Sequence, residues 1–154
     1  MTPEQMHRAS IKALALGERD TADELRKRFS ESDHRLSVLY MYGVTCVVLR
    51  YRFGEEEDGL DFTELQRFIA EMRHDYRNAE PPLEYLNIEA VIRAPYGEEY
   101  LLDEMNWREK YFSFYRVLRQ LVERRPDIKE DLDQIITRTQ KLIEHWICTP
   151  GSNL

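Results

Sequence analysis

Three of the four histidines in this chain follow a glutamate by three residues: Glu4 and His7, Glu31 and His34, Glu71 and His74. Residues three apart share a helix face. An E-x-x-H pair on each of two inward-facing helices, joined by a glutamate from each of two others, is a ligand set for a di-iron centre. Helical phase speaks against that chemistry here. At about 100° per residue, Glu71 and His74 fall opposite Leu65, Phe68, Ile69, Met72 and Tyr76, and so face water. Glu4 and Glu31 stand near predicted helix starts, where the dipole favours acids in any case. With glutamate at 19 of 154 positions, such spacings arise from composition alone, and neither a metal nor a cofactor is expected.

The other chemical groups are more isolated. Cys46 lies inside an apolar run with no charged neighbour to lower its thiol pKa, which makes it a core residue rather than a nucleophile. Cys148 is distant from it, and two thiols without metal spacing point to reduced cysteines and a cytoplasmic setting. The acidic run Glu55 to Asp58 lacks the alternating ligands and central glycine of a calcium loop. There is no glycine-rich phosphate loop.

Ala13 and Gly17 match the turn spacing of a DNA-reading helix-turn-helix. Its three inward positions, however, would be Lys12, Asp23 and Arg26, all charged. A net charge of -7 also repels a phosphate backbone at long range, so nucleic acid is not an expected partner. Arginine outnumbers lysine 17 to 5, a bias expected of a GC-rich bacterial coding sequence.

One stretch carries polar chemistry on an irregular backbone. From Pro82 to Trp107, tyrosines and charges alternate with apolar residues, and Pro95 and Gly97 interrupt the periodicity. Irregular segments held by a rigid scaffold concentrate binding residues, so Glu89, Arg93, Tyr96 and Tyr100 are the expected binding residues. The expectation requires that Arg93, Glu89 and at least one of Tyr96 and Tyr100 converge on a cleft.

The elements that must position these groups read as all-α. Leu36 to Leu49 is apolar except for Ser37, Gly43 and Thr45. A helix apolar all round must be covered on every side, which makes it the centre of a bundle of six or seven helices. Val44 to Phe53 is rich in β-branched residues and ends in a strand-like alternation, but no other segment offers a partner strand. At about 14 residues the run is short of the roughly 20 that span a bilayer, and no membrane segment is expected.

Around it, Thr2, Pro3 and Gln5 mark a capped helix start with a stop at Gly17. Asp61 with Glu64 and Asp127 with Glu130 read as further capping boxes. Trp107, Tyr111, Phe114, Leu118 and Leu121 form one inward stripe. Ile128, Leu132, Ile135, Thr139, Leu142 and Trp146 form another, so residues 107–147 read as a long antiparallel hairpin. A single domain over residues 1–148 with a disordered tail at 149–154 completes the expected organisation.

Phe112 and Tyr115 fall beside the first stripe and widen its apolar arc, which makes them the expected interface residues, most simply of a homodimer. A small acidic chain with no catalytic constellation reads as a non-enzymatic adaptor, regulator or immunity-type protein that binds another protein through a helical face. The alternative is a helical-bundle enzyme or small-molecule binder with a tyrosine-lined pocket.

Overall fold

The computed structural model describes residues 1–148, and the expected tail at 149–154 lies outside the described residues. Eight α-helices follow one another: α1 (Pro3–Ala15), α2 (Arg19–Arg26), α3 (Glu31–Phe53), α4 (Phe62–Asp75), α5 (Tyr85–Arg93), α6 (Trp107–Arg124), α7 (Pro126–Glu130) and α8 (Leu132–Cys148). Short 3₁₀ turns at Glu56–Asp58, Ala94–Tyr96 and Glu99–Leu102 link them, and there is no strand among the described residues. Among the described residues no helix is long and apolar enough to cross a membrane.

The capping chemistry shows why the helices begin where they do. Thr2 accepts the Gln5 amide hydrogen while the Gln5 side chain accepts from the Thr2 N–H, at 3.2 and 2.8 Å. At the other end of α1, Gly17 takes φ 78°, and the N–H groups of Gly17 and Glu18 return to the carbonyls of Leu14 and Ala13. That Schellman closure satisfies carbonyls that a helix end leaves unpaired. The long helix α3 starts at a further capping box, formed by Ser30 and Asp33, and therefore opens at Glu31.

Two expected boxes form differently. Asp61 caps α4 alone, because Glu64 turns to Arg67 and Arg52. Asp127 instead binds Arg125 at 2.8 Å and leaves α7 without a side-chain cap.

Helix α3 is the axis of the fold. Tyr40, Met41 and the whole stretch from Gly43 to Leu49 are buried, and α6 and α8 both pack along it. The hairpin expected from the two C-terminal stripes is thus filled by α3: α6 and α8 make their extensive contacts with it rather than with each other. Tyr42 bridges the pair, its ring 5.1 Å from Phe114 of α6 and 5.6 Å from Trp146 of α8. Gly43 lets α8 approach closely, since a Cβ there would stand 3.0 Å from the Thr139 methyl.

The α1–α2 pair covers another side of the bundle. Arg8 of α1 donates to Gln140 and Thr137 of α8 at 2.8 and 3.0 Å, and Lys12 pairs with Asp133. Among the expected core residues Tyr40, Val44, Val47, Phe68, Met72, Phe114, Leu118 and Ile135 are buried. Leu39, Tyr111 and Leu142 are half-buried against that core.

Two expectations about burial fail at one end of the molecule. Leu36, Val38 and Leu39, the first turns of the apolar run, are only half-buried, and Trp107 is 60 % exposed instead of facing inward. Trp107 is the first residue of α6, where little of the bundle remains to cover it.

Candidate functional site

The expected binding quartet does not behave as one group. Glu89, Arg93 and Tyr100 do converge. Arg93 holds Glu98 through two contacts of 2.6 Å, lies 3.6 Å from Glu89 and stacks 5.4 Å from the Phe62 ring, while the Tyr100 hydroxyl donates to Glu98 at 3.2 Å. Arg93 holds the Glu98 carboxyl below its usual range and is itself held charged by it. These contacts tie the 3₁₀ segment back to α5, a stapling role for the Arg93 guanidinium. Tyr96 points elsewhere. Its hydroxyl donates 2.6 Å to the Gly54 carbonyl, where burial raises its pKa.

The E-x-x-H residues are likewise occupied separately. Glu71 receives Arg52 at 3.2 Å, and His74 is exposed. His7, by contrast, is 3 % exposed. Its Nε2 lies 3.2 Å from Asp33 and its ring stacks on Tyr40 and tilts against Phe29. Its partner is thus Asp33 of α3 rather than Glu4, a contact that joins α1 to the capping turn of α3. Spacing along α1 could not reveal this, because the aromatic rings around His7 come from elsewhere in the chain. Among the described residues no three His, Cys, Asp or Glu side chains are grouped to hold a metal ion. Burial pushes the Cys46 thiol up to about 12, which keeps it protonated.

The expected interface pair separates as well. Tyr115 is 7 % exposed, with the Arg19 guanidinium 5.7 Å over its ring and donating to its hydroxyl at 3.5 Å. The α1–α2 pair therefore covers it, and it cannot share an open face with Phe112. Phe112 is 60 % exposed. Tyr111 is treated like Tyr115, its hydroxyl receiving Arg26 at 3.2 Å.

Phe62, Leu86, Tyr100 and Ile147 are exposed singly, whereas Trp107 and Phe112 both stand on the first half of α6, which is bordered by a groove on each side. One groove, of about 390 Å³, runs between α6 and the segment leading into α5, with Pro81, Pro82, Leu83, Ile88 and Phe112 as its apolar lining. Arg108, Arg116, Glu84 and Glu109 stand around it. The other, of about 680 Å³, is lined by Leu36, Val38, Leu39 and Trp107, with Glu31, His34 and Arg35 at the rim.

Asn106 and Glu109 form the capping box that starts α6, so the exposed aromatics sit on a fixed helix end rather than a loop. Periodicity alone could have singled out Phe112, which lies off the inward stripe. Trp107 lies on that stripe, and its exposure depends on where the neighbouring helices stop.

No family model matches this chain, and no curated protein or solved structure is significantly similar to it.

Proposed function

We propose that this chain is a non-enzymatic interaction protein that docks another protein on the exposed first half of α6. The observation that carries the reading is the pair Trp107 and Phe112, both 60 % exposed, each set in an apolar groove on a capped, rigid helix. Large aromatic side chains in apolar grooves are the usual anchors of protein interfaces, and contiguous apolar patches are uncommon on surfaces with no partner. The charged and tyrosine-rich groups that could do chemistry are spent on internal contacts: Arg93 on Glu98, Tyr51 on Asp131, Tyr96 on Gly54. No tyrosine lines either of the two large grooves, which leaves the tyrosine-lined pocket of the alternative reading without support there. A reducing, cytoplasmic setting suits the buried free thiol of Cys46.

The experiment is site-specific photo-crosslinking in cells that express the chain, with a benzophenone side chain at position 107, at 112, or at the exposed control position 57. The reading expects discrete adducts at 107 or 112 and none at 57. Absence of adducts at both aromatic positions, or the same adducts at all three, would overturn it. A second copy of the chain is one partner that the experiment would detect. Sedimentation equilibrium identifies that case as a species of twice 18.5 kDa that Trp107→Ala or Phe112→Ala returns to monomer.

A further inference from the structure

We propose that the groove along α6 beside Phe112 receives an acidic amphipathic helix of a partner protein, with one partner carboxylate on Arg108 and another on Arg116. This rests on the reading of the α6 face as a docking surface and adds the chemistry of what docks there.

Charge is the first argument. Arg50, Arg52, Arg93, Arg119, Arg124 and Arg125 each hold a carboxylate within the chain. Among the described residues Arg108 and Arg116, like several arginines elsewhere on the surface, pair with no carboxylate: their guanidinium groups lie 5.4 Å from the rings of Trp107 and Tyr76 respectively. Stacked in this way, each is kept extended and charged with its N–H fork free for a carboxylate. Eight residues apart on one helix, the two are separated by about 12 Å along the axis, and Phe112 lies midway. Of the two lining carboxylates, Glu109 is already held by the Asn106 N–H at 3.4 Å and the Asn87 amide at 3.3 Å. Glu84, just before α5, has no such partner among the described residues, so the acids of the docked segment belong over α6 and not over the α5 side.

Shape is the second argument. Glu109, Phe112, Ser113 and Arg116 follow the i, i+3, i+4, i+7 pattern of a helix packing face. The opposite wall begins with Pro81 and Pro82, which have no N–H to offer a strand, so an added helix fits where an added strand would lack its ladder. A helix lying along α6 meets Arg108 and Arg116 with acids seven or eight residues apart. Its apolar residues between them cover Leu83, Ile88 and Phe112.

The test uses the full chain and a phage-displayed library of random 16-residue peptides, followed by fluorescence anisotropy with the selected peptides made synthetically. Expected are sequences with Asp or Glu seven or eight residues apart flanking apolar residues. Their binding should weaken roughly tenfold or more on Arg108→Glu and on Arg116→Glu. It should recover when the peptide acids are replaced by lysine in the Arg108→Glu, Arg116→Glu double variant. Arg108 is exposed and stacks on the exposed Trp107 ring, so its variant keeps the test valid if Arg116→Glu lowers stability.

Selected peptides without acid enrichment, binding indifferent to both arginines, or an empty selection would each overturn the proposal. So would a dimer of the chain itself that Phe112→Asp disperses. Peptide binding that survives both arginine variants but is lost in Trp107→Ala overturns the acidic helix while leaving the α6 docking reading intact. Failure of the crosslinking at both aromatic positions removes that reading itself.

Discussion

The guanidinium of Arg119, on α6, lies directly against Gly17 at the end of α1. A Cβ added at Gly17 would come within 2.9 Å of its Cζ and Nη2, and its Nη1 donates 2.6 Å to the Ala15 carbonyl. Gly17 therefore satisfies two demands at once, a left-handed φ of 78° and room for the arginine that completes the helix end. Gly17→Ala should cost about 1 to 2 kcal/mol through the left-handed backbone alone, and about 1 kcal/mol more if the Arg119 hydrogen bond is displaced. Urea unfolding checks the sum. A midpoint equal to wild type would mean that neither constraint operates.

Acid should weaken the junction between α1 and α3. Ser30, first through its backbone N–H and then its hydroxyl, and His7 after it hold the Asp33 carboxyl below its ordinary value of 3.8. A carboxyl whose folded pKa lies below its unfolded one binds more protons when unfolded. The stability it provides is complete above the unfolded pKa and is lost as pH falls through the folded one. Asp33→Asn should therefore lower the unfolding free energy at pH 7, and its difference from wild type should shrink below about pH 4. A difference that stays constant from pH 7 to pH 2.5 would show that the carboxylate charge is not what matters.

Most helix starts and the central position of α3 could be read from local pattern, because caps and apolar runs are properties of a few consecutive residues. What could not be read depends on what stands next to a helix at a given height. Periodicity put Trp107 on the inward side of α6 correctly by angle, yet the neighbours at that level leave it exposed. The same periodicity placed Tyr115 on the flank of the stripe, and Arg19, 96 residues away in sequence, covers it. His7 looked like half of an E-x-x-H pair with Glu4 and is buried because Phe29 and Tyr40 close over it. The surroundings of the expected quartet depend on a similar contact: Glu98, five residues beyond Arg93, pairs with its guanidinium.

Helices α3 and α8 meet through the absence of a side chain at Gly43. The Thr139 methyl would lie 3.0 Å from a new Cβ, with Trp146 and Ile143 behind it at 3.7 and 3.9 Å. Alanine gains about 1 kcal/mol of helix propensity over glycine, which offsets a small displacement of the threonine, so Gly43→Ala should be near neutral. Valine adds two further carbons to a closed contact and should destabilise by about 1 to 3 kcal/mol. If Gly43→Val unfolds at the wild-type midpoint, α3 and α8 are not in close contact there.

Residues six apart on α6 separate the stabilising face from the docking face. Leu118 is fully buried, and Leu118→Ala should cost about 2 to 5 kcal/mol. Phe112→Ala removes a larger side chain from an exposed site and should change stability by no more than about 0.5 kcal/mol. Denaturant unfolding of the two variants decides between this arrangement and one in which Phe112 is covered in the free chain. In the second case both variants would lose comparable stability.

The docking reading also requires that Trp107 be open to solvent when the chain stands alone. The protein has two indoles: Trp107, exposed on the end of α6, and Trp146, half-buried against Tyr42 on α8. Acrylamide should therefore quench the wild-type fluorescence in two components, one readily and one poorly accessible. Trp107→Phe should remove the accessible component and leave the protected one. Comparing dilute with concentrated protein extends the measurement to self-association, since a second copy seated on the Trp107 groove would protect that indole as concentration rises. Loss of the protected component in Trp107→Phe, with the accessible one surviving, would mean that Trp107 is covered within the chain itself, and the groove beside it would no longer be available to any partner.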